Sequence, residues 1–296
     1  MNPPLFPALT LVSVLTATAA PGDWPTWRGP KRDGLSTETG LLKQWPAGGP
    51  PLAWKATGCG TGYSSVSVAD GRVITMGDGP DGARVLAFDL SGKPLWQSET
   101  IGKPGGNYPG TRCTPTIADG RVYALGQFGD FVCLDAKTGK VLWSKSLQKD
   151  FGGNYAGWNY TESPLVDGKK VVLTPGGKRG TMAALDRQTG DLLWQSKDWT
   201  ESAAYSSIVP WEFAGRRQYV QFTESSVAAI DAENGSLLWR APRRGATATI
   251  PTPVLSGDLV FVTSGYGVGC NLFKLKKDTG GIATERSEEH TSELQS

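Results

Sequence analysis

The chain has 296 residues, 39% of them hydrophobic and 20% charged, with 39 Gly, 20 Pro and 11 Trp. That profile fits many short strands joined by tight turns and argues against a helical bundle. Lys and Arg number 30 against 28 Asp and Glu, a net charge of +2 with no run of four basic residues, which argues against nucleic acid or an anionic membrane surface as the primary partner.

In chain order, the first element is an apolar stretch from Leu5 to Thr18 that ends in Ala17-Thr18-Ala19. This small-residue pattern suits signal-peptidase cleavage after Ala19, so residues 1–19 are expected to be a signal peptide and the protein to be periplasmic or secreted. A charged n-region is missing apart from the amino terminus, which leaves a buried N-terminal strand as the alternative. No later run approaches the roughly 18 apolar residues of a membrane span. Residues 20–50, with the segment Asp23-Trp-Pro-Thr-Trp-Arg-Gly29, are expected to form an extension that packs across the domain following them.

Residues 51–285 repeat one grammar. Ala87-Phe-Asp89-Leu-Ser-Gly92-Lys-Pro-Leu-Trp96 is followed by Cys133-Leu-Asp135-Ala-Lys-Thr-Gly139-Lys-Val-Leu-Trp143. Two further copies run Ala184-Leu-Asp186-Arg-Gln-Thr-Gly190-Asp-Leu-Leu-Trp194 and Ala229-Ile-Asp231-Ala-Glu-Asn-Gly235-Ser-Leu-Leu-Trp239. Trp54, in Pro51-Leu-Ala-Trp54, matches only the last strand of the unit, and successive Trp residues lie 42, 47, 51 and 45 positions apart. A period of this length, with alternating apolar residues and no helical periodicity, reads as propeller blades.

Upstream in each unit an Asp-Gly pair, Asp70-Gly71 or Asp119-Gly120, supplies the positive φ of a tight hairpin. In the later Asp-x-x-Thr-Gly turn, Asp caps the backbone and Gly takes the left-handed position. Each repeat therefore holds four strands. Its Trp, on the outer strand, buries about 200 Å² against the next blade. Trp54, Trp96, Trp143, Trp194 and Trp239 are accordingly assigned to blade docking.

Through the Ala-x-Asp-x-x-Thr-Gly-x-x-x-Trp motif the chain resembles the quinoprotein-type, or PQQ-like, β-propeller repeat family over residues 51–285. The resemblance implies an all-β, incomplete β-propeller of four-stranded blades, about five from a ring of seven or eight. The family is similar in fold both to cofactor-dependent alcohol dehydrogenases and to the non-catalytic propeller lipoprotein of outer-membrane β-barrel assembly, so it leaves activity open. A fifth unit starts at Ile250, but Lys276 stands at the turn Asp position and Thr284 at the Trp position, and this blade is expected to be partial. Arg286–Ser296 resembles one reading frame of a sequencing-library adapter and is expected to be a non-native tail. That discounts His290, the one histidine.

Function is expected on the connections between blades. Gly105-Gly-Asn-Tyr-Pro-Gly110 and Gly152-Gly-Asn-Tyr-Ala-Gly157 occupy equivalent loops. The candidate binding residues of this face and the pore are Tyr63, Tyr108, Arg112, Tyr155, Trp158, Glu162 and Tyr205, with Tyr160 and Tyr266 nearby. The alternative for the aromatics is packing of loops onto blades. Ser64, Cys113, Glu162 and Pro251 begin inner strands at corresponding positions. Glu162, the acid among them, either acts in the pore as a base or cation ligand or caps a turn.

The preferred reading is an exported, non-catalytic scaffold that binds a protein, peptide or glycan, monomeric at full length and without cofactor or metal. The alternative implied by the family is a quinoprotein alcohol dehydrogenase using PQQ with calcium. Against it, no adjacent Cys-Cys pair occurs among Cys59, Cys113, Cys133 and Cys270. Zinc and histidine-assisted nucleophilic chemistry are set aside for want of histidine.

Overall fold

In the computed structural model the described residues are 22–245, 248–278 and 281–290. The expected signal peptide and positions 291–296 lie outside them. Five four-stranded antiparallel meanders follow one another. The first is β1 (Ser67–Ala69), β2 (Arg72–Gly79), β3 (Gly82–Asp89) and β4 (Pro94–Gln97). The second is β5 (Thr116–Ala118), β6 (Arg121–Leu125), β7 (Asp130–Asp135) and β8 (Val141–Ser146), and a short helix α1 (Leu147–Phe151) follows it. The third comprises β9 (Leu165–Asp167), β10 (Lys170–Leu173), β11 (Ala183–Asp186) and β12 (Leu192–Gln195). The fourth comprises β13 (Val209–Phe213), β14 (Arg216–Phe222), β15 (Ser226–Asp231) and β16 (Leu237–Pro242).

The fifth sheet departs from expectation by being four-stranded: β17 (Val254–Ser256), β18 (Leu259–Ser264), β19 (Gly269–Asp278) and β20 (Gly281–His290). Its last strand runs across position 286, pairing Phe273 with Arg286 and Leu272 with Glu288. Innermost strands meet one another, β1 with β5 and β5 with β9, so the sheets stand as blades of a partial β-propeller. Blades stacked face to face bury both sides of their middle strands. Hence Phe131, Val132, Cys133 and Leu134 of β7 form a continuous apolar run, all at most 4% exposed. Cys59, Cys113 and Cys133 are free thiols.

Each Trp meets the following blade at one spot. Trp96 Nε1 donates to the Ala136 carbonyl at 3.0 Å, Trp143 to Arg187 at 3.3 Å and Trp194 to Ala232 at 3.3 Å. The ring lies on the glycine of the Asp-x-x-Thr-Gly turn: a Cβ on Gly139 would stand 2.4 Å from Trp96, on Gly190 2.8 Å from Trp143 and on Gly235 2.7 Å from Trp194. This glycine is therefore required twice, for φ near +75° and for the close approach of the indole. At the fifth blade, where Lys276 stands at the position of the turn Asp, Trp239 Nε1 bonds instead to Gln218 Oε1 of its own blade, at 2.7 Å.

Trp54 docks like the others, onto Gly92 and the Leu90 carbonyl. The strand expected at Pro51–Trp54 does not form, however. The indole contact needs the ring and the turn but no ladder beneath it. The turn caps are as expected: Asp135 Oδ1 accepts from Lys137 N, Thr138 N and Thr138 Oγ1. One feature repeats without a sequence mark. Every outer strand of the first four blades carries a bulge just before its Trp, pairing for example Cys133 with Trp143 and Leu134 with Val141. The bulge leaves Leu142 unpaired and adds local twist where the indole must reach sideways.

Candidate functional site

The channel is filled by the chain's own N-terminal segment. Trp24 exchanges backbone hydrogen bonds with Val68 of β1, and the Pro25 carbonyl accepts from Ile117 N of β5. Thr26 Oγ1 lies 2.9 Å from Thr116 Oγ1, and Trp27 Nε1 donates to Thr252 Oγ1 at 3.2 Å. Arg32, 2% exposed, donates to the carbonyls of Ser163 at 2.7 Å and Pro164 at 2.8 Å. Burial lowers its pKa to about 10, opposed by the charge of Glu162, so it remains a cation at neutral pH.

Glu162, also 2% exposed, accepts from Thr174 N, from Thr174 Oγ1 at 2.8 Å and from Gln221 Nε2 at 3.4 Å. Burial pushes its carboxyl up to about 7, while the Thr174 hydrogen bonds and Arg32 pull it down. Cys113 occupies the corresponding place one blade earlier. Its Sγ accepts from Leu125 N at 3.4 Å, and burial raises the thiol to about 12. Hydroxyls stitch blade to blade here: Ser163 Oγ accepts from Thr114 N and Ser207 Oγ from Ser163 N, both at 3.0 Å.

Adjoining this plug is a cleft of about 490 Å³, walled by Tyr63, Tyr108, Arg112, Trp158, Tyr205 and Tyr266. Trp27, Ser163 and Ser207 belong to both its lining and the plugged channel. Trp158 is the hinge of the aromatic wall, edge-on to Tyr108 at 6.1 Å and tilted 30° to Tyr205 at 5.1 Å. Its backbone N–H donates to the Tyr205 hydroxyl. The Arg112 guanidinium lies 5.6 Å from the Tyr63 ring centroid and donates to the carbonyls of Asn107, Tyr108 and Gly110. Burial lowers its pKa, opposed by Tyr63, Asp78 and Tyr205.

Tyr63, Tyr108 and Tyr266 are 63%, 59% and 73% exposed. Tyr108 and Tyr266 have φ of 58° and 60°, left-handed conformations that cost a bulky side chain on the order of 1–3 kcal/mol. Aromatic rings more than half exposed on strained backbone gain little for the fold. Such strain accumulates at sites of function.

Of the residues singled out in the sequence, Tyr63, Tyr108, Arg112, Trp158 and Tyr205 come together in this cleft, with Tyr266. Two do not. Tyr155 turns inward, its ring 4.8 Å from Tyr160 and its backbone bridged to Ala203. Glu162 is buried away from the cleft and caps Thr174, the second of the two roles left open for it in the sequence. Tyr160 is buried, with its hydroxyl on the Pro175 carbonyl. Trp27, Ile250, Ser163 and Ser207 enter the lining unanticipated. Of these only Trp27, an aromatic in the N-terminal segment, carried a signal in the sequence.

The PQQ-repeat family profile described as outer membrane protein assembly factor BamB matches residues 81–292. Assembly factor BamB of Kangiella koreensis is 30% identical over 139 residues, 45% of this chain and 31% of that protein. The dehydrogenase subunit of the quinone alcohol dehydrogenase of Gluconobacter oxydans is 33% identical over 126 residues, 38% of this chain and 16% of that protein. The chain thus spans less than a third of the length of either relative. Among solved structures, the quinohemoprotein alcohol dehydrogenase of Comamonas testosteroni superposes with a TM-score of 0.57 at 17% identity, covering 88% of this chain and 47% of that one. That likeness is one of fold.

Proposed function

Because the chain belongs to the PQQ-repeat family of outer membrane protein assembly factor BamB, we propose that it is an exported, non-catalytic propeller scaffold whose aromatic cleft holds a protein, peptide or glycan partner. The observation that carries this reading is the exposure of Tyr63, Tyr108 and Tyr266 around one concavity, two of them on left-handed backbone. Rigid aromatic surfaces of this kind supply binding area at low entropic cost. The segment through Arg32 and the blade-to-blade hydroxyls hold the cleft's base in one shape, which lowers the ordering cost of capture.

The alcohol dehydrogenase relatives favour a competing reading, in which the channel holds a quinone with calcium. The residues present do not fit that group. Glu162, the buried channel carboxylate, is committed to Thr174 and Gln221, and the Arg32 cation lies beside it, where a divalent ion would meet repulsion. Among the described residues no three His, Cys, Asp or Glu side chains gather as a metal site.

In-cell photo-crosslinking tests the proposal. A benzophenone amino acid in place of Tyr108 is expected to give a discrete adduct with an exported partner, and the same probe in place of Leu142 on an outer strand is expected to give none. Trp158→Ala should abolish the adduct. Equal labelling at both positions, insensitive to Trp158, would contradict it.

A further inference from the structure

We propose that the occupant of the cleft is an acidic peptide segment anchored by an aromatic or large apolar side chain, and not a glycan. This rests on the reading of the cleft as the partner site and narrows it.

The anchor follows from the wall. Tyr108, Trp158 and Tyr205 meet edge-on and tilted, presenting ring edges and faces that pair favourably with another ring. Around 490 Å³ lies within the range of small-ligand pockets, enough for a few residues of an extended peptide. Charge comes from Arg112, the one charged residue of the described lining. It donates hydrogen bonds to the neutral carbonyls of Asn107, Tyr108 and Gly110, which fix the guanidinium without cancelling its charge. Asp78, whose field reaches Arg112, is buried, outside the lining, with one carboxylate oxygen held by Gly105 N–H and Gln127 Nε2. The charge that the cleft itself offers an occupant is therefore the Arg112 cation, set in a rim of low polarity where it acts strongly on a carboxylate.

Glycan recognition needs side chains that pair with several sugar hydroxyls at once, above all Asp, Glu, Asn and Gln. Among the described residues none of these lines the cleft. Of its aliphatic hydroxyls, Thr161 donates to the Tyr205 carbonyl, while Ser163 accepts from Thr114 N–H and Ser207 from Ser163 N–H.

Four probes, titrated against the whole chain by tryptophan fluorescence, decide the matter: an end-blocked hexapeptide alternating Asp and Phe, its analogues with Asn or Lys for Asp, and a β-linked glucose hexaose. The acidic peptide is expected to bind about tenfold more tightly than the Asn analogue, with the Lys analogue weakest. That preference should fade between about 0.05 and 0.5 M salt. Tyr108→Ala should weaken the acidic and Asn peptides alike. Arg112→Met should remove the acidic preference and Arg112→Lys retain it, which separates charge from the loop-pinning bonds. Equal affinities for the three peptides would overturn the inference. Hexaose binding that depends on Tyr108 while the peptides fail would also overturn it, yet would leave the scaffold reading standing. Failure of all four probes, or binding indifferent to Tyr108→Ala, would overturn both.

Discussion

Gly139→Ala isolates the indole-on-glycine contact that joins the blades. Gly120, in the same blade, supplies the control, because both glycines have φ of 72°. Nothing lies within 4 Å of a Cβ at Gly120, whereas one at Gly139 would stand 2.4 Å from the Trp96 ring. Gly120→Ala should therefore cost the left-handed strain alone, about 1–2 kcal/mol. Gly139→Ala should cost that plus overpacking of about 1–3 kcal/mol, in total roughly 2–5 kcal/mol. Adding Trp96→Leu to each variant completes a cycle in which the excess at Gly139 disappears and the cost at Gly120 persists. Urea unfolding followed by far-UV circular dichroism measures all of these. Equal costs at the two glycines, or an excess that survives removal of Trp96, would refute the contact as the joint between blades.

The remaining predictions concern the plug and the cleft. Burial raises Glu162 from 4.5 to about 7, so the folded chain holds this proton more tightly than the unfolded one. The resulting stabilisation is full below pH 4.5 and is lost as pH rises through 7, on the order of 3 kcal/mol in all; urea midpoints across that window should fall for the parent relative to Glu162→Gln. Arg32→Met leaves the Ser163 carbonyl unpaired and the Pro164 carbonyl with the Thr116 hydroxyl alone, and should cost about 1–3 kcal/mol in the same assay. Tyr108→Asn suits the left-handed backbone better than Tyr and should leave stability unchanged or raise it by up to about 1 kcal/mol, while peptide capture in the fluorescence titration is lost. Titration with PQQ and calcium, followed by absorbance and by dye reduction with a primary alcohol, should give neither saturation nor turnover.

The blades were legible because their determinants are local and periodic. Asp, Gly and Trp recur at fixed offsets, and each acts within its own turn or against the next one. The bulge before each Trp was not legible, since the unpaired residue is an ordinary Leu whose extra position appears only against a partner strand. Helix α1 escaped for a different reason: five residues carry no period, and its Ser146 and Gly152 caps resemble turn residues. Packing of residues 20–50 across the domain was an expectation of the sequence, but the seat of Arg32 could not be read, because the Ser163 and Pro164 carbonyls that it meets lie more than 130 residues away.

Tyr108 and Tyr155 show the limit most clearly. Both follow Gly-Gly-Asn, yet one faces the cleft and the other is caught between Tyr160 and the Ala203 backbone. Their local sequence is shared, and the difference lies in what each loop meets. Glu162 illustrates the converse, a residue placed at the right ring position whose chemistry was decided by Arg32, Thr174 and Gln221 closing over it.

Amide hydrogen exchange of the protein alone and with its crosslink-identified partner tests the cleft as the binding surface most directly. Protection is expected in 105–112, 156–161 and 264–268, with the outer strands β4, β8 and β12 unchanged. Protection confined to those outer strands, with the three loops exchanging as in the free protein, would contradict it.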